Sequence, residues 1–206
     1  MEYRDGKNVL VFAYFTISQQ IAQICSEPLF DPEEVEGYVN DLKMYEYYPF
    51  PGTIFLWSEY YLSSGETHKL KIYFPKESAD GETKIPSYLF ITFPPYDTVL
   101  SLDEAKIIWR KTQDANWYFS DLYFYFYDSL GYTIGTEEKF VNTKDTFVEI
   151  KPIIDEWFSD SGASYAETEA YILPVSCPLP SEPGNIKGDA RGYLLGYGDE
   201  IMFISK

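Results

Sequence analysis

Between Asp121 and Tyr127 the chain reads DLYFYFY, an unbroken alternation. In an extended strand successive side chains point to opposite faces, so Leu122, Phe124 and Phe126 share one face and Tyr123, Tyr125 and Tyr127 the other. The turn DSLG (Asp128 to Gly131) and the strand after it make this a hairpin. VLVFAYF (Val9 to Phe15), SYLFITF (Ser87 to Phe93), TFVEI (Thr146 to Ile150) and AETEAYILPV (Ala166 to Val175) also read as strands. TIFLWSEYYL is predicted to pair through the turn SSGETH with KLKIYF, and GYLLGYGDEIMFIS to close the chain as a hairpin at Gly198-Asp199. PKESADGETKIP is polar and carries a turn dipeptide, Asp80-Gly81, and YEYYPFPG is an aromatic loop pinned by prolines.

Helical spacing is found elsewhere. Ile17, Ile21 and Ile24 recur at three and four residues before Pro28. Asp31 is placed as an N-cap with Pro32 at the first helical position, and Val35, Tyr38, Val39 and Leu42 form a stripe, which predicts a helix over 32–44. Ser101 and Glu104 form a capping box before Ala105, Ile108 and Trp109, which predicts a helix over 101–113. Pro152 opens a short third one in KPIIDEWF.

The expected fold class is α+β, mainly β: an antiparallel β-sandwich or curved sheet with two or three covering helices. The length suits a single domain over residues 1–206, with a long Pro/Gly-rich loop at 178–192 before the C-terminal hairpin. Apolar helical stripes have to be buried, so the helices at 32–44 or 101–113 are expected to lie over the tyrosine face of 121–127. The hairpin SDLYFYFYDSLGYTIGTEEKF (120–140) resembles hairpins of immunoglobulin-like bacterial sandwich families, on alternating aromatics and an acidic turn with glycine. No family is recognised across the rest, so no functional residue is carried over.

Charge narrows the partners. With 33 Asp and Glu against 16 Lys and Arg the formal net charge is −17, which repels phosphate backbones and anionic membranes. Direct nucleic-acid binding and membrane association are therefore not expected. No basic, apolar leader follows Met1, so synthesis in the cytoplasm is expected, with incorporation into a virion as one version. Cys25 and Cys177 are far apart in sequence and are read as two reduced thiols, Cys25 on the core side of a helix.

Catalytic signatures are scarce. His68 is the only histidine, in the polar turn SSGETHKL, and is read as an exposed turn residue because no nucleophile elbow surrounds any serine. No C-x-x-C, H-E-x-x-H, Walker or G-x-G-x-x-G pattern occurs, so no metal and no cofactor is expected. Asp155, Glu156 and Asp160 cannot be told from surface acids, and DEWFSDSG lacks EF-hand spacing. The residues point away from an enzyme.

What stands out is aromatic content, 20 Tyr, 15 Phe and 4 Trp, and tyrosine is enriched at the centres of interfaces. Tyr45, Tyr47, Tyr48, Phe50, Tyr60 and Tyr61 are taken as candidate partner-binding residues, with the 178–192 loop as a docking arm. The leading reading is a non-catalytic interaction or structural protein, a subunit or accessory of a larger assembly such as a phage or virus particle. It would meet protein partners, basic ones or copies of itself. One alternative is an acidic inhibitor or immunity-type protein that blocks a basic, nucleic-acid-binding partner by imitating DNA; another is a carbohydrate-binding module.

Overall fold

Alternating apolar stretches become strands in the computed structural model, which describes residues 9–26, 34–50, 52–95, 98–198 and 201–205. β1 (Val9–Phe15) turns at Thr16 to Gln19 into β2 (Gln20–Ser26), followed by β3 (Glu36–Val39), β4 (Leu42–Lys43), β5 (Tyr45–Phe50) and β6 (Thr53–Ser58). β7 (Thr67–Phe74) and β8 (Glu77–Lys84) form a hairpin, and β9 (Ile91–Phe93) comes next. A 3₁₀ turn (Leu102–Glu104) precedes β10 (Lys106–Trp109), β11 (Trp117–Tyr127), β12 (Thr133–Thr143) and β13 (Phe147–Glu149). Then come α1 (Lys151–Asp160), β14 (Tyr165–Ser176), β15 (Lys187–Gly188), β16 (Arg191–Tyr197) and β17 (Ile201–Ser205). The protein is mainly β with several sheets, and α1 is the single α-helix among the described residues, not one of two or three.

Contacts gather into two compact units, Met1–Ser87 with Val175–Gly198, and Tyr88–Pro174 with Asp199–Lys206. In the first, β5, β6, β2, β1 and β16 lie side by side in that order. All these pairs are antiparallel except β1 with β16, which is parallel. A second sheet runs β15, β8, β7, β3, β4. Val11, Phe15, Ile24 and Leu56 of the first sheet share one buried core with Val39, Leu70 and Ile72 of the second. Each such side chain contributes about 1.5–3 kcal/mol.

That figure explains why the helix predicted over 32–44 does not form. Its Asp31 cap and Pro32 lie outside the described residues, while 36–43 form two short strands joined by Asn40 and Asp41 at φ 49° and 66°. Asn and Asp tolerate that left-handed conformation better than other side chains. Val35, Gly37 and Val39 are buried with period two, and Leu42, from the expected helical stripe, is 51% exposed. At Gly37 a Cβ would meet the tip of the Leu56 side chain, which would have to shift to admit it. Helix propensities differ by at most about 0.7 kcal/mol between ordinary residues, less than one buried side chain supplies. The same balance turns the isoleucine-spaced segment into β2, whose Ile24 is buried and whose Ile21 faces outward.

Other pairings also differ from expectation. β6 pairs with β2 and β5, not with the KLKIYF segment, which lies in β7 and pairs with β8 and β3. The polar segment 77–84 is strand β8, turning at Pro75-Lys76 and not at Asp80-Gly81. YEYYPF is strand β5 and not a loop. β16 and β17 both pair with β14 and do not form a closing hairpin. Within the 178–192 segment Asn185 bonds the middle of β16: its side chain accepts from the Leu194 N–H (2.8 Å) and donates to the Leu194 carbonyl (2.9 Å).

In the second unit β12, β11 and β14 are neighbours, with β17 along Thr168 to Ile172 of β14, and β13, β10 and β9 form a separate sheet. Leu122, Phe124 and Phe126 are fully buried with Ile107, Trp109, Ile172 and Ile154 of α1. α1 starts with Pro152 in its first turn, as expected. The helix predicted over 101–113 is a single 3₁₀ turn followed by β10; Ser101 and Glu104 bond each other through their side chains (2.7 Å) instead of capping backbone N–H groups.

Candidate interaction face

The register of the first unit's large sheet places its outward side chains in rows, because directly paired residues share a face. One row is Tyr45, Trp57, Ile21, Tyr14 and Leu195; the next is Tyr47, Phe55, Gln23, Phe12 and Tyr193. A third holds Thr53, Cys25, Leu10 and Arg191. The opposite side chains of β6, β2, β1 and β16, among them Leu56, Ile24, Val11 and Leu194, belong to the core, while on β5 the opposite side chain is Glu46, ion-paired with Lys43. Rings tile the outer one: Tyr45 and Trp57 lie 5.0 Å apart, Phe12 and Tyr193 stack at 6.1 Å, and Tyr14 meets Tyr197 at 5.7 Å.

These rings are open to solvent. Exposure is 62% at Tyr45, 60% at Tyr47, 45% at Phe12 and 37% at Trp57. Burial raises the phenol pKa of Tyr14 and, more deeply covered, of Tyr197, where Cys177 and Tyr14 add to the shift. No carboxylate stands in the three rows, and Arg191 is their one charged side chain. That stands out in a chain of net charge −17. At its β16 end the Tyr193 hydroxyl donates to the Glu182 carbonyl, with that of Pro180 3.1 Å away, so part of the 178–192 segment rims the face.

Of the residues singled out from sequence, Tyr45 and Tyr47 lie on this face. Tyr48 sits at the irregular end of β5, its hydroxyl bonded to Glu46 (3.0 Å), and Phe50 belongs to β5 but its side chain lies outside the described residues. Tyr60 turns toward the core, its hydroxyl bonding the Lys43 carbonyl, while Tyr61 is 83% exposed beyond the end of β6. Phe12, Tyr14, Trp57 and Tyr193 were missed. The signal was present as alternation: VLVFAYF puts Leu10, Phe12 and Tyr14, and RGYLLGY puts Tyr193, Leu195 and Tyr197, at every second position on the outward side.

The second unit answers the question of the tyrosine strip. Tyr123, Tyr125 and Tyr127 are half-buried and not covered by a helix 32–44 or 101–113, neither of which exists; α1 lies over the phenylalanine face instead. Tyr127 stacks on Tyr165 at 4.8 Å and Tyr123 meets Tyr171 edge-on at 6.0 Å. The Tyr123 hydroxyl bonds to Glu138 and Asp121, which holds it far above the usual phenol range, and burial pushes the Asp121 carboxyl up. With Glu167 and Glu169 on β14, this is a strip of tyrosines and acids.

The remaining candidates are structural. His68 is buried, not exposed: its Nε2 donates to the Ser63 carbonyl (2.7 Å) and its Nδ1 accepts from Asn40 (3.0 Å). Cys25 is half-buried on a strand, not in a helical core stripe, and Cys177 is buried and donates to the Pro178 carbonyl (2.8 Å); no disulfide joins them. An apolar cleft of about 360 Å³ lies between the 3₁₀ turn and α1, lined by Leu102, Ile107, Ile154 and Phe158 among others. No carboxylate, histidine or cysteine is among its described lining residues; its polar groups include Lys106, Ser101, Thr168 and Tyr165.

No family model matches the chain, and no curated protein matches it. Among solved structures it is similar to the fibronectin(III)-like modules of Clostridium thermocellum CbhA, at 12% identity over 96% of this chain and 92% of that one, with a TM-score of 0.26. A likeness that loose carries no argument.

Proposed function

We propose that the protein is a non-catalytic interaction or structural protein, a subunit or accessory of a larger assembly, and that the aromatic face of its first unit is the contact surface. One observation carries this: five adjacent strands of the large sheet present rows of aromatic rings in which no carboxylate stands among the described residues, on a chain with 33 acids. Exposed apolar patches of this extent mark binding surfaces, and aromatic rings are the commonest energetic anchors in them. In the same reading each unit is a β-sandwich built around its shared core, and the sheets serve as a scaffold for the face. Size-exclusion chromatography with light scattering, followed by affinity capture from the native source at low and high salt, tests it. A complex that survives high salt supports the reading. A protein that neither assembles nor captures anything contradicts it.

The strip on the second unit favours a second reading, an acidic inhibitor of a basic partner. Asp121, Glu138, Glu167 and Glu169 stand among tyrosines there, a surface suited to Lys or Arg side chains. Capture of a nucleic-acid-binding protein at low salt only would move the assignment to it.

A further inference from the structure

We infer that the occupant of the aromatic face is a second copy of the same chain, the two faces packing sheet against sheet about a two-fold axis. The inference rests on the reading of this face as a contact surface and names the partner.

Size decides against a small ligand or a single strand of peptide. Five strands at ~4.8 Å spacing and about seven residues at ~3.3 Å make the face about 24 Å by 23 Å in plan. Its projecting rings bring the accessible area toward the ~800 Å² that each partner gives up in a standard interface. An added peptide chain would cover about one strand's width, ~5 Å, and leave most of the rings wet. The occupant therefore has the breadth of a sheet.

Charge decides which sheet. Two chains of net charge −17 repel wherever their acids face each other. Here the described rows contain none, so when two copies meet face to face these rows set no carboxylate opposite another. Two sheets stacked through their side chains lie ~10 Å apart, which interdigitated rings fill. A two-fold interface requires a self-complementary patch, and an aromatic face with a single charge at its edge is matched by its own kind. Arg191 stands at a corner, so an axis along or across the strands through the centre keeps the two arginines apart.

The salt response follows. Long-range repulsion of the two acidic bodies is screened as the Debye length falls from ~10 Å near 0.1 M to ~3 Å near 1 M, while the apolar contact is not weakened. Self-association therefore tightens with salt, opposite to an electrostatic partner.

Sedimentation velocity on the full chain, over a concentration series at about 0.05 M and about 1 M salt, tests this. The expected result is a concentration-dependent dimer whose dissociation constant falls as salt rises. Trp57→Asp and, independently, Phe12→Asp weaken it by roughly thirtyfold or more. Leu130→Asp, at a position 79% exposed in the β11–β12 turn and off this face, leaves it unchanged; circular dichroism checks the fold of all three. A monomer at every concentration and salt overturns the inference, as does a dimer indifferent to both face variants. A monomer that still captures a partner at high salt, and loses it with Trp57→Asp, sinks the second copy but keeps the contact surface. One that captures nothing sinks both.

Discussion

The indole of Trp157 lies flat on the ring of Phe126, centroids 4.3 Å apart and planes 8° from parallel. Its Nε1 donates to Glu137 (2.6 Å), and Gly135 provides the space beneath it: a Cβ there would run into the indole. Trp157 thus ties α1 to the hairpin alongside Ile154 and Phe158, which pack into the same core. Gly135→Val is expected to cost about 1–3 kcal/mol by overpacking. Trp157→Phe, which keeps a ring on Phe126 and loses the hydrogen bond, should cost about 1–2 kcal/mol. Guanidinium unfolding followed by far-UV circular dichroism measures both, and a Gly135→Val protein as stable as wild type would show that α1 does not sit there.

Gln20 is fully buried at the start of β2. Its Oε1 accepts from Ser58 Oγ (2.8 Å) and the Tyr60 N–H (3.0 Å), and its Nε2 donates to the Tyr60 carbonyl (2.9 Å). Gln20→Leu keeps the bulk and strands those groups, so a loss of about 2–4 kcal/mol is expected, since each orphaned buried group costs ~1–3 kcal/mol. A loss under about 0.5 kcal/mol, typical of an exposed surface site, would contradict the network.

Trp109 offers the reverse case. It is 2% exposed and packs edge-on against Tyr118 at 5.1 Å, yet its Nε1 has no hydrogen-bond partner among the described residues. Packing and not hydrogen bonding should govern its worth. Trp109→Ala is expected to cost about 3–5 kcal/mol, and Trp109→Phe less than half of that. Equal losses in thermal unfolding would mean that the indole N–H is the important part.

Asp121 gives a pH signature. Burial raises its carboxyl above the ordinary 3.8; a hydrogen bond from Tyr123 opposes the shift and Glu138 reinforces it. The folded protein therefore holds this proton more tightly than the unfolded chain, and the stability it contributes when protonated is lost as pH rises from about 3.8 through the folded value. Asp121→Asn removes that loss. Its stability relative to wild type should improve across this rise, read from denaturation midpoints at successive pH values. A difference that does not change with pH would refute the assignment.

Strands were legible wherever alternation was strict, as in DLYFYFY and VLVFAYF, because a period of two is a property of the chain itself. α1 was legible from its proline. The helices over 32–44 and 101–113 were misread because caps and stripes are local signals of about 1 kcal/mol, and pairing into a sheet that buries Val39 or Trp109 outweighs them. Strand partners were the least readable: β6 beside β2, or β1 parallel to β16, depends on contacts remote in sequence. For the same reason Tyr45 and Tyr47 could be picked out singly, while the rows joining them to Trp57, Tyr14 and Phe12 exist only once the strands are side by side.

The central claim is that the aromatic face is buried by a partner. Trp57 reports on it directly, being 37% exposed while Trp109 and Trp117 are at 2% and 3%. Acrylamide quenching of tryptophan fluorescence, recorded across a dilution series at high salt with Trp57→Phe as the reference, isolates its contribution. The account predicts that the Trp57 component is quenched freely in dilute protein and protected as the complex forms. Equal quenching in the free and associated states would place the contact elsewhere and contradict it.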